Sequence, residues 1–424
     1  MQRRPIPTEK KDFVILDTNI LMSCRDEEQL FQTFQGVDIF VTIGTLRELD
    51  RLKMSEGQRG FSARNGLRII RKNLSKRIEI LHNENLFDEE GKPTETFGNS
   101  VDEKIILSGL EQGATVITND LSMASISSSL GVNTKQYQEQ ENNVRDGVHF
   151  LDLSDKIRGG ATPEQFLYLL DDEVRVNEYI AVKEYKKVTN IFRKEGPNSY
   201  EKIVRAHIPR TEFFGPVTPY NEDVYQACAI DSLMKNQINI LTGPAGSGKT
   251  FLALAAQWHL YEIGEIEGIT IFVNPVKTKN SKELGFYKGD QLDKLLQEGI
   301  GAILASKLGG GDKEFVRGLV QAGVLNILPV SDIRGYEVTD NRSLFITEAQ
   351  NLDVELMKLA LQRAQSCKVF VEGDPGTQLD GWMYEGSNNG MKRAIEVFSG
   401  EDIFGTVALK NIYRSRIAEI AEKM

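Results

Sequence analysis

The stretch ‘INILTGPAGSGKT’, residues 238–250, decides how the chain is read. Its first four residues, mostly apolar, have the length of a buried strand, and ‘FLALAAQWHL’ just beyond has helical spacing. Between them ‘GPAGSGKT’ fits the phosphate-loop pattern G-x-x-x-x-G-K-[ST]. Glycines at these places let backbone N–H groups turn toward phosphates at the positive end of the helix dipole. Gly243, Pro244, Ala245, Gly246, Ser247 and Gly248 would form the cradle, with Phe251 just inside the helix. Lys249 would reach the β and γ phosphates and Thr250 would ligate Mg²⁺, which makes ATP with Mg²⁺ (or Mn²⁺) the expected cofactor. A glycine-rich turn without function has no need of the flanking strand and helix.

Working outward, ‘ITIFVNP’, ‘VLNILPV’, ‘SLFITE’ and ‘CKVFVEGD’ are apolar runs separated by helical patterns, the signature of an α/β domain with a parallel sheet. Ligands bind such sheets at the C-terminal ends of the strands. Glu348 stands at such an end, where it could orient and deprotonate a water. Asp374 and Gln378 in ‘VFVEGDPGTQLD’ are placed to sense the γ-phosphate or that water. Gln226, one helix before the loop, carries an amide that can read an adenine edge. Arg414 in ‘NIYRSRIAEIAEKM’ could supply a transition-state cation, in cis or to a neighbouring subunit. A lone Gln or Arg is more often surface; the order of these residues along the chain gives them weight.

The first 140 residues repeat the alternation with other chemistry. Strands are predicted at ‘FVILDTN’, ‘DIFVTI’ and ‘ATVITND’. Asp17 and Asp120 end the first and last of them, Glu48 lies in the helix ‘TLRELDRLK’, and Asp102 begins ‘SVDEKIILSGL’. Two acids at strand ends and two at adjacent helix starts can converge on one cleft. Hard oxygen ligands suit Mg²⁺ or Mn²⁺, which relieve their repulsion and activate water. The ordinary alternative for each acid alone is a helix cap. Between these regions, ‘EYIAVKEYKKVTNIF’ and ‘SYEKIVRAHI’, with the turn ‘EGPNS’, read as a small β-rich module.

A chain of 424 residues exceeds a single core, and 40% apolar with 26% charged residues is a globular composition. No apolar run reaches bilayer length, and ‘MQRRPIPTEKKDF’ lacks the apolar core of a signal peptide, so a cytoplasmic protein with no membrane partner is expected. Three separated cysteines and four scattered histidines argue against zinc or a disulfide framework. The net charge of −10 is uneven. Nine Lys or Arg lie between Arg51 and Arg77 against Glu56 alone, and nine against four Glu from Arg175 to Arg210. Two such runs, each beside a candidate site, point to phosphate-backbone contacts.

Together, Gln226, ‘GPAGSGKT’, ‘NPVKTKNSKELGFYKGD’, ‘IRG’ at 333–335, ‘FITEAQN’, ‘GDPGTQLD’, ‘SNNG’ at 387–390 and ‘YRSRIAEIA’ resemble the PhoH-like ATPases, related to superfamily 1 helicase cores. The resemblance implies a RecA-like P-loop NTPase domain that hydrolyses ATP, assembles into a homo-oligomeric ring (a hexamer) and acts on RNA. The series ‘LDTN’, ‘TLRELDRLK’, ‘VDEKI’ and ‘TNDLSMA’ resembles a PIN domain. It implies a metal-dependent RNA endonuclease with Asp17, Glu48, Asp102 and Asp120 as metal ligands, Glu103 as a substitute for Asp102, and Asn19 and Thr118 in support. The expected architecture is α/β throughout: a PIN-like parallel-sheet domain over 1–145, a β-rich basic connector over 146–210, and a PhoH-like domain over 211–424. The function implied is ATP-dependent processing of single-stranded or partly structured RNA by a nuclease joined to an RNA-unwinding or translocating ATPase.

Departures from the family pattern bear on that reading. The pattern would put Asp at Thr347, Arg at Asn274, and Leu-Pro at Tyr287 and Lys288, and ‘GDPGTQLD’ is one residue longer than the usual loop. Thr347 keeps a hydroxyl for a Mg²⁺-bound water but brings no charge, so a weakened Mg²⁺ site is expected, and Thr347→Asp should restore the charge. The rivals are a small-molecule kinase, which needs an arginine-bearing lid, and a nucleotide-gated RNA-binding scaffold with little or no ATP turnover.

Overall fold

The computed structural model describes residues 13–24, 27–55, 57–81, 100–137, 144–154, 161–273, 304–306, 308, 312–376, 379, 384 and 388–413. The chain divides into two compact units, Met1–Asn142 and Asn143–Met424.

In the first unit β1 (Phe13–Leu16), α1 (Thr18–Ser23), α2 (Glu27–Thr33), β2 (Asp38–Thr42), α3 (Ile43–Leu52), α4 (Gly57–Asn73) and β3 (Ile78–Leu81) come first. They are followed by α5 (Val101–Gln112), β4 (Thr115–Ile117), α6 (Leu121–Ser129) and β5 (Thr134–Lys135). The five strands form one sheet in the order β3-β2-β1-β4-β5, all parallel. Alternation along β1 sends Val14 and Leu16 to a core with Ile20, Leu49 and Ile69, and Ile15 to another with Ile105, Ile106 and Met123. Helices therefore cover both faces, as a parallel sheet requires. The strand order reverses between β1 and β4, and a cleft opens beyond their C-terminal ends at such a reversal.

The second unit begins with β6 (Val148–Asp152), β7 (Tyr179–Glu184), β8 (Lys187–Gly196) and β9 (Ser199–Lys202), a four-stranded sheet in that order. A short 3₁₀ helix, Pro163–Leu170, lies between β6 and β7. The β7–β8 hairpin turns through Tyr185 and Lys186, both at positive φ (47° and 68°), the twist a two-residue hairpin prefers. A ribbon of β10 (Ile208–Thr211) and β11 (Gly215–Val217) leads to α7 (Val224–Lys235). Val148, Tyr179, Ala181, Ile208 and Val217 share one hydrophobic core with α7 and the following helix, so the β-rich module packs as part of the second unit.

Beyond α7 come β12 (Ile238–Thr242), α8 (Lys249–Glu262), β13 (Gly268–Val273), α9 (Lys313–Gln321), β14 (Leu325–Pro329) and β15 (Arg342–Ile346). Then follow α10 (Val354–Leu361), β16 (Val369–Gly373), α11 (Gly390–Phe398) and β17 (Phe404–Ala408). The sheet order is β14-β13-β15-β16-β12-β17, parallel throughout. Leu241, Phe345 and Phe370 face α7 and α8, whereas Ile240, Leu344, Ile346, Val369 and Val371 face α10 and α11. The phosphate-loop strand β12 is thus separated from β15 by β16 alone, and the three C-terminal ends lie level.

Candidate functional site

In the first unit the backbone N–H of Asp17 donates to the Ile117 carbonyl at 3.0 Å, which sets the ends of β1 and β4 side by side. The Thr118 hydroxyl donates to Asp17 Oδ2 at 2.7 Å and accepts from Asn19 Nδ2 at 3.2 Å and from the Asp120 N–H at 3.0 Å. Glu48 Oε2 accepts from the Thr18 hydroxyl at 2.7 Å. Asp120 caps α6 through Oδ1, which takes the N–H groups of Ser122 and Met123 at 2.7 and 3.0 Å. While it caps the helix, its charge also acts on Asp102. Glu103 is committed elsewhere: its carboxylate accepts the Ser100 N–H at 3.1 Å in a capping box.

Burial is the largest influence on Asp17, lifting its carboxyl to about 6; Thr118 opposes, and the charges of Asp102 and Glu48 push the same way as burial. Burial also raises Asp102, followed by the charges of Glu48, Asp120 and Glu103. The four acids therefore lie in one another's field, and none of them forms an ion pair among the described residues. An all-oxygen donor set under mutual repulsion fits a hard divalent cation. Among the described residues, however, no three His, Cys, Asp or Glu side chains converge to hold an ion. Both facts stand, because Coulomb repulsion reaches well past a coordination bond.

The second site is built on the loop after β12. Gly243, Gly246 and Gly248 have φ of 138°, 86° and 100°. At Gly243 a Cβ would also come within 2.2 Å of the Leu409 carbonyl oxygen, so only glycine fits. Lys249 Nζ donates to the Gly243 and Pro244 carbonyls at 2.7 and 3.0 Å, folded onto its own loop. Thr250 and Phe251 occupy the first turn of α8, and the Phe251 ring meets Phe214 edge-on at 5.5 Å. Ser247 Oγ is buried without a hydrogen-bond partner among the described residues. A buried hydroxyl, a lysine held on the loop carbonyls and a left-handed glycine loop at a helix start fit a phosphate chain. Gln226 spends its amide within the protein, donating to the Ser247 carbonyl at 3.1 Å and accepting the Tyr220 N–H at 2.9 Å. Tyr413 N–H donates to the Gly246 carbonyl at 3.0 Å, and its hydroxyl donates to Asp223 at 2.6 Å.

Several motifs separated in sequence meet at the strand ends. Glu348 is exposed, with its backbone in the left-handed region (φ 52°, ψ 38°), a strained place for a residue with a Cβ. Gln350 Nε2 donates to Glu348 Oε2 at 2.7 Å, and Gln350 Oε1 accepts the Asp374 N–H at 3.2 Å. Asn389 Nδ2 donates to the Gln350 carbonyl at 3.0 Å. Glu348, Asp374 and Asn389 are thus drawn together through Gln350. Gln378, Arg414, Asn274, Tyr287 and Lys288 lie outside the described residues.

One residue escaped the sequence reading. Glu372, on β16, is buried, and its Oε1 accepts the Thr347 hydroxyl at 2.6 Å and the Glu348 N–H at 3.3 Å. Burial raises its carboxyl, the Lys249 ammonium pulls it down, and the Glu348 carboxylate pushes it up. An acid on the neighbouring strand thus stands against the Thr347 hydroxyl. Its only sequence signal was a carboxylate inside the apolar run ‘VFVEG’.

With this geometry in place, residues 218–424 match the sequence model of the PhoH-like protein family, and residues 14–138 match that of the PIN domain. The chain joins a PIN domain to a PhoH domain. Protein PhoH2 of Bacillus subtilis is 30% identical over 209 residues, 47% of this chain and 46% of that protein. A PhoH-like protein of Mycobacterium bovis is 32% identical over 178 residues, 41% of this chain and 47% of that protein. The chain thus spans about half the length of these curated relatives. The solved PIN domain endonuclease Utp24 aligns with 30% of this chain and 86% of its own, at 20% identity and a TM-score of 0.22, too low to support an argument. Among the described residues no helix is long and apolar enough to cross a membrane.

Proposed function

We propose that the PIN–PhoH chain is an ATP-dependent RNA-processing enzyme, in which a metal-dependent endoribonuclease is coupled to an RNA-stimulated ATPase that unwinds or translocates RNA. What supports it is that the phosphate loop follows β12 beside the ends of β16 and β15, where Gln350 links Glu348 to Asp374 and the charges of Lys249 and Glu348 both act on Glu372. Lys249, released from the Gly243 and Pro244 carbonyls, would bind the β and γ phosphates. Glu348, held by Gln350 and facing solvent, would take the proton of the attacking water. Bound Mg²⁺ would neutralise phosphate charge at Thr250. In the PIN domain, Asp17, Glu48, Asp102 and Asp120 would hold Mg²⁺ or Mn²⁺, which supplies a nucleophilic water and steadies the charge on the scissile phosphate. Assembly as a homo-oligomeric ring, a hexamer, belongs to the same proposal.

The test is RNA cleavage with Mg²⁺ or Mn²⁺, run with and without ATP, beside phosphate release with and without RNA. Lys249→Ala is expected to abolish phosphate release while unstructured RNA is still cut. Glu348→Gln is expected to bind nucleotide and stop turnover. Wild-type phosphate release no faster than that of Glu348→Gln would instead support a nucleotide-gated RNA-binding scaffold.

A further inference from the structure

Thr347 stands where the PhoH-like pattern carries an acid, and the structure sets a carboxylate directly against it. Ile346 pairs with Val371 across β15 and β16, which brings Thr347 level with Glu372. Both side chains emerge on the face shared with Phe345 and Phe370, the face that α8 and its Lys249 cover. On its other side Glu372 pairs with Leu241, two residues before the phosphate loop. Its position is thus central: on the strand between the loop strand and the strand that bears Glu348.

Glu372 is 3% exposed. A buried carboxylate is costly unless a cation or several hydrogen bonds answer it. The two bonds it receives both go to Oε1, from the Thr347 hydroxyl and the Glu348 N–H, and Oε2 has no hydrogen-bond partner among the described residues. Glu372 enters no ion pair, although the Lys249 charge acts on it. A structural acceptor for one hydroxyl would be served as well by a neutral glutamine. In the phosphate loop the buried Ser247 hydroxyl also lacks a hydrogen-bond partner among the described residues. A carboxyl group with an unused oxygen, on the strand beside the one that leads into the phosphate loop, suits a divalent cation.

We propose that Glu372 is the acidic group that holds the divalent cation of the bound nucleotide, the acid of this site having moved from β15 to β16, with Thr347 orienting it by a hydrogen bond. This rests on the nucleotide-binding reading above. It explains how a site with threonine in place of aspartate keeps a full charge at the same point in space, supplied from the adjacent strand.

The experiment follows the binding of a fluorescent ATP analogue to the full chain while Mg²⁺ is titrated, which requires no turnover. Glu372→Gln is expected to need about ten- to a hundredfold more Mg²⁺ for half-maximal binding, the worth of one charge-assisted contact, with no weakening of binding in EDTA. The exchange variant Thr347→Asp with Glu372→Thr, which returns the acid to β15, is expected to recover to within a few-fold of wild type. An exchange variant as Mg²⁺-hungry as Glu372→Gln overturns the claim that the acid has moved. Glutamine is isosteric and sheds a buried charge, so the variant should melt no lower than wild type. Should it fail to fold, Glu372→Asp takes its place, with an expected shift of several-fold. A Mg²⁺ requirement unchanged in the variant used, while wild type binds in a Mg²⁺-dependent way, overturns this inference alone. Wild type that binds no nucleotide at any Mg²⁺ concentration overturns the nucleotide-binding reading with it.

Discussion

Asp17 carries opposed consequences for stability and chemistry. Its carboxyl binds a proton more tightly folded than unfolded, at about 6 against an ordinary 3.8. Between those values the folded state holds the extra proton, so stability falls as pH rises from about 4 to about 6 and stays reduced above that. Two units amount to about 3 kcal/mol. Asp17→Asn should therefore slow amide exchange in β1 and β4 at pH 7 in EDTA, by up to the equivalent of about 3 kcal/mol, and flatten its change over that window. The same substitution should abolish metal-dependent RNA cleavage. Stability gained with activity lost marks a residue kept for function. Unchanged exchange would show that burial of this charge costs nothing. Wild-type cleavage by Asp17→Asn would remove Asp17 from the metal set. Glu372 makes the same kind of demand on the second unit.

At the scale of elements, the most consequential charge is Glu178, just before β7. Burial alone would push its carboxyl up, but Arg145, His149 and the Arg175 N–H bring it down to about 2. Arg145 Nε and an Arg145 terminal nitrogen donate at 2.6 Å each, and His149 Nε2 lies at 2.9 Å. The bonds tie β6 and β7 to the segment between them. A depressed value means stability present above the ordinary 4.5 and lost as pH falls toward about 2. Glu178→Gln should lower the stability of the four-stranded sheet by about 3 kcal/mol at pH 7, with the gap to wild type closing over that acid window. Urea unfolding at pH 7 and pH 3 checks it, and an equal gap at both would mean that packing, not charge, is lost. This cluster could not be read from sequence, because its members are acidic and basic residues of a segment that looks merely charged. The strands with apolar runs, β1, β2, β4, β7, β8 and β12 to β16, were legible. β5 was not: Thr134–Lys135 is held by pairing with β4 rather than by apolar side chains of its own. β17 hid behind Gly405, which demotes a strand on paper. In the fold that glycine is needed, since a Cβ there would come 2.1 Å from Asn236 Nδ2. The loop glycines were legible from spacing, and the four acids were singled out by their places at strand ends and helix starts, whereas Glu372 was masked by the apolar run around it.

Over the whole molecule, charge is where sequence and structure part most. Of nine basic residues between Arg51 and Arg77, Lys53, Lys72 and Arg77 pair with Asp50, Glu27 and Glu28. Arg64 donates to the Lys53 carbonyl and Arg68 to Asn65. Arg51, Arg59, Arg71 and Lys76 are exposed without a partner among the described residues. In the second run Arg193 is buried against Asp231 and Glu201, and Lys194 is bound by Asp171 and the Val174 carbonyl, so neither can grip a ligand without unfolding its strand. An acidic chain of net charge −10 should then owe RNA affinity to a few localised cations. If all four free side chains of the PIN domain meet phosphates, log K against log salt should have a slope of about −3 on single-stranded RNA, at −0.7 per contact. Arg59→Ala with Arg71→Ala should make that slope shallower by about 1.4 without changing the domain's cleavage rate at saturating RNA. Arg193→Ala should leave the slope alone and lower thermal stability instead, because it strands Asp231 in the interior. Filter binding across a salt series measures all three. A slope near zero for wild type would mean that the basic helices are only solvated surface. A slope that Arg193→Ala shares in reducing would mean that the β-rich sheet, rather than α3 and α4, carries the RNA.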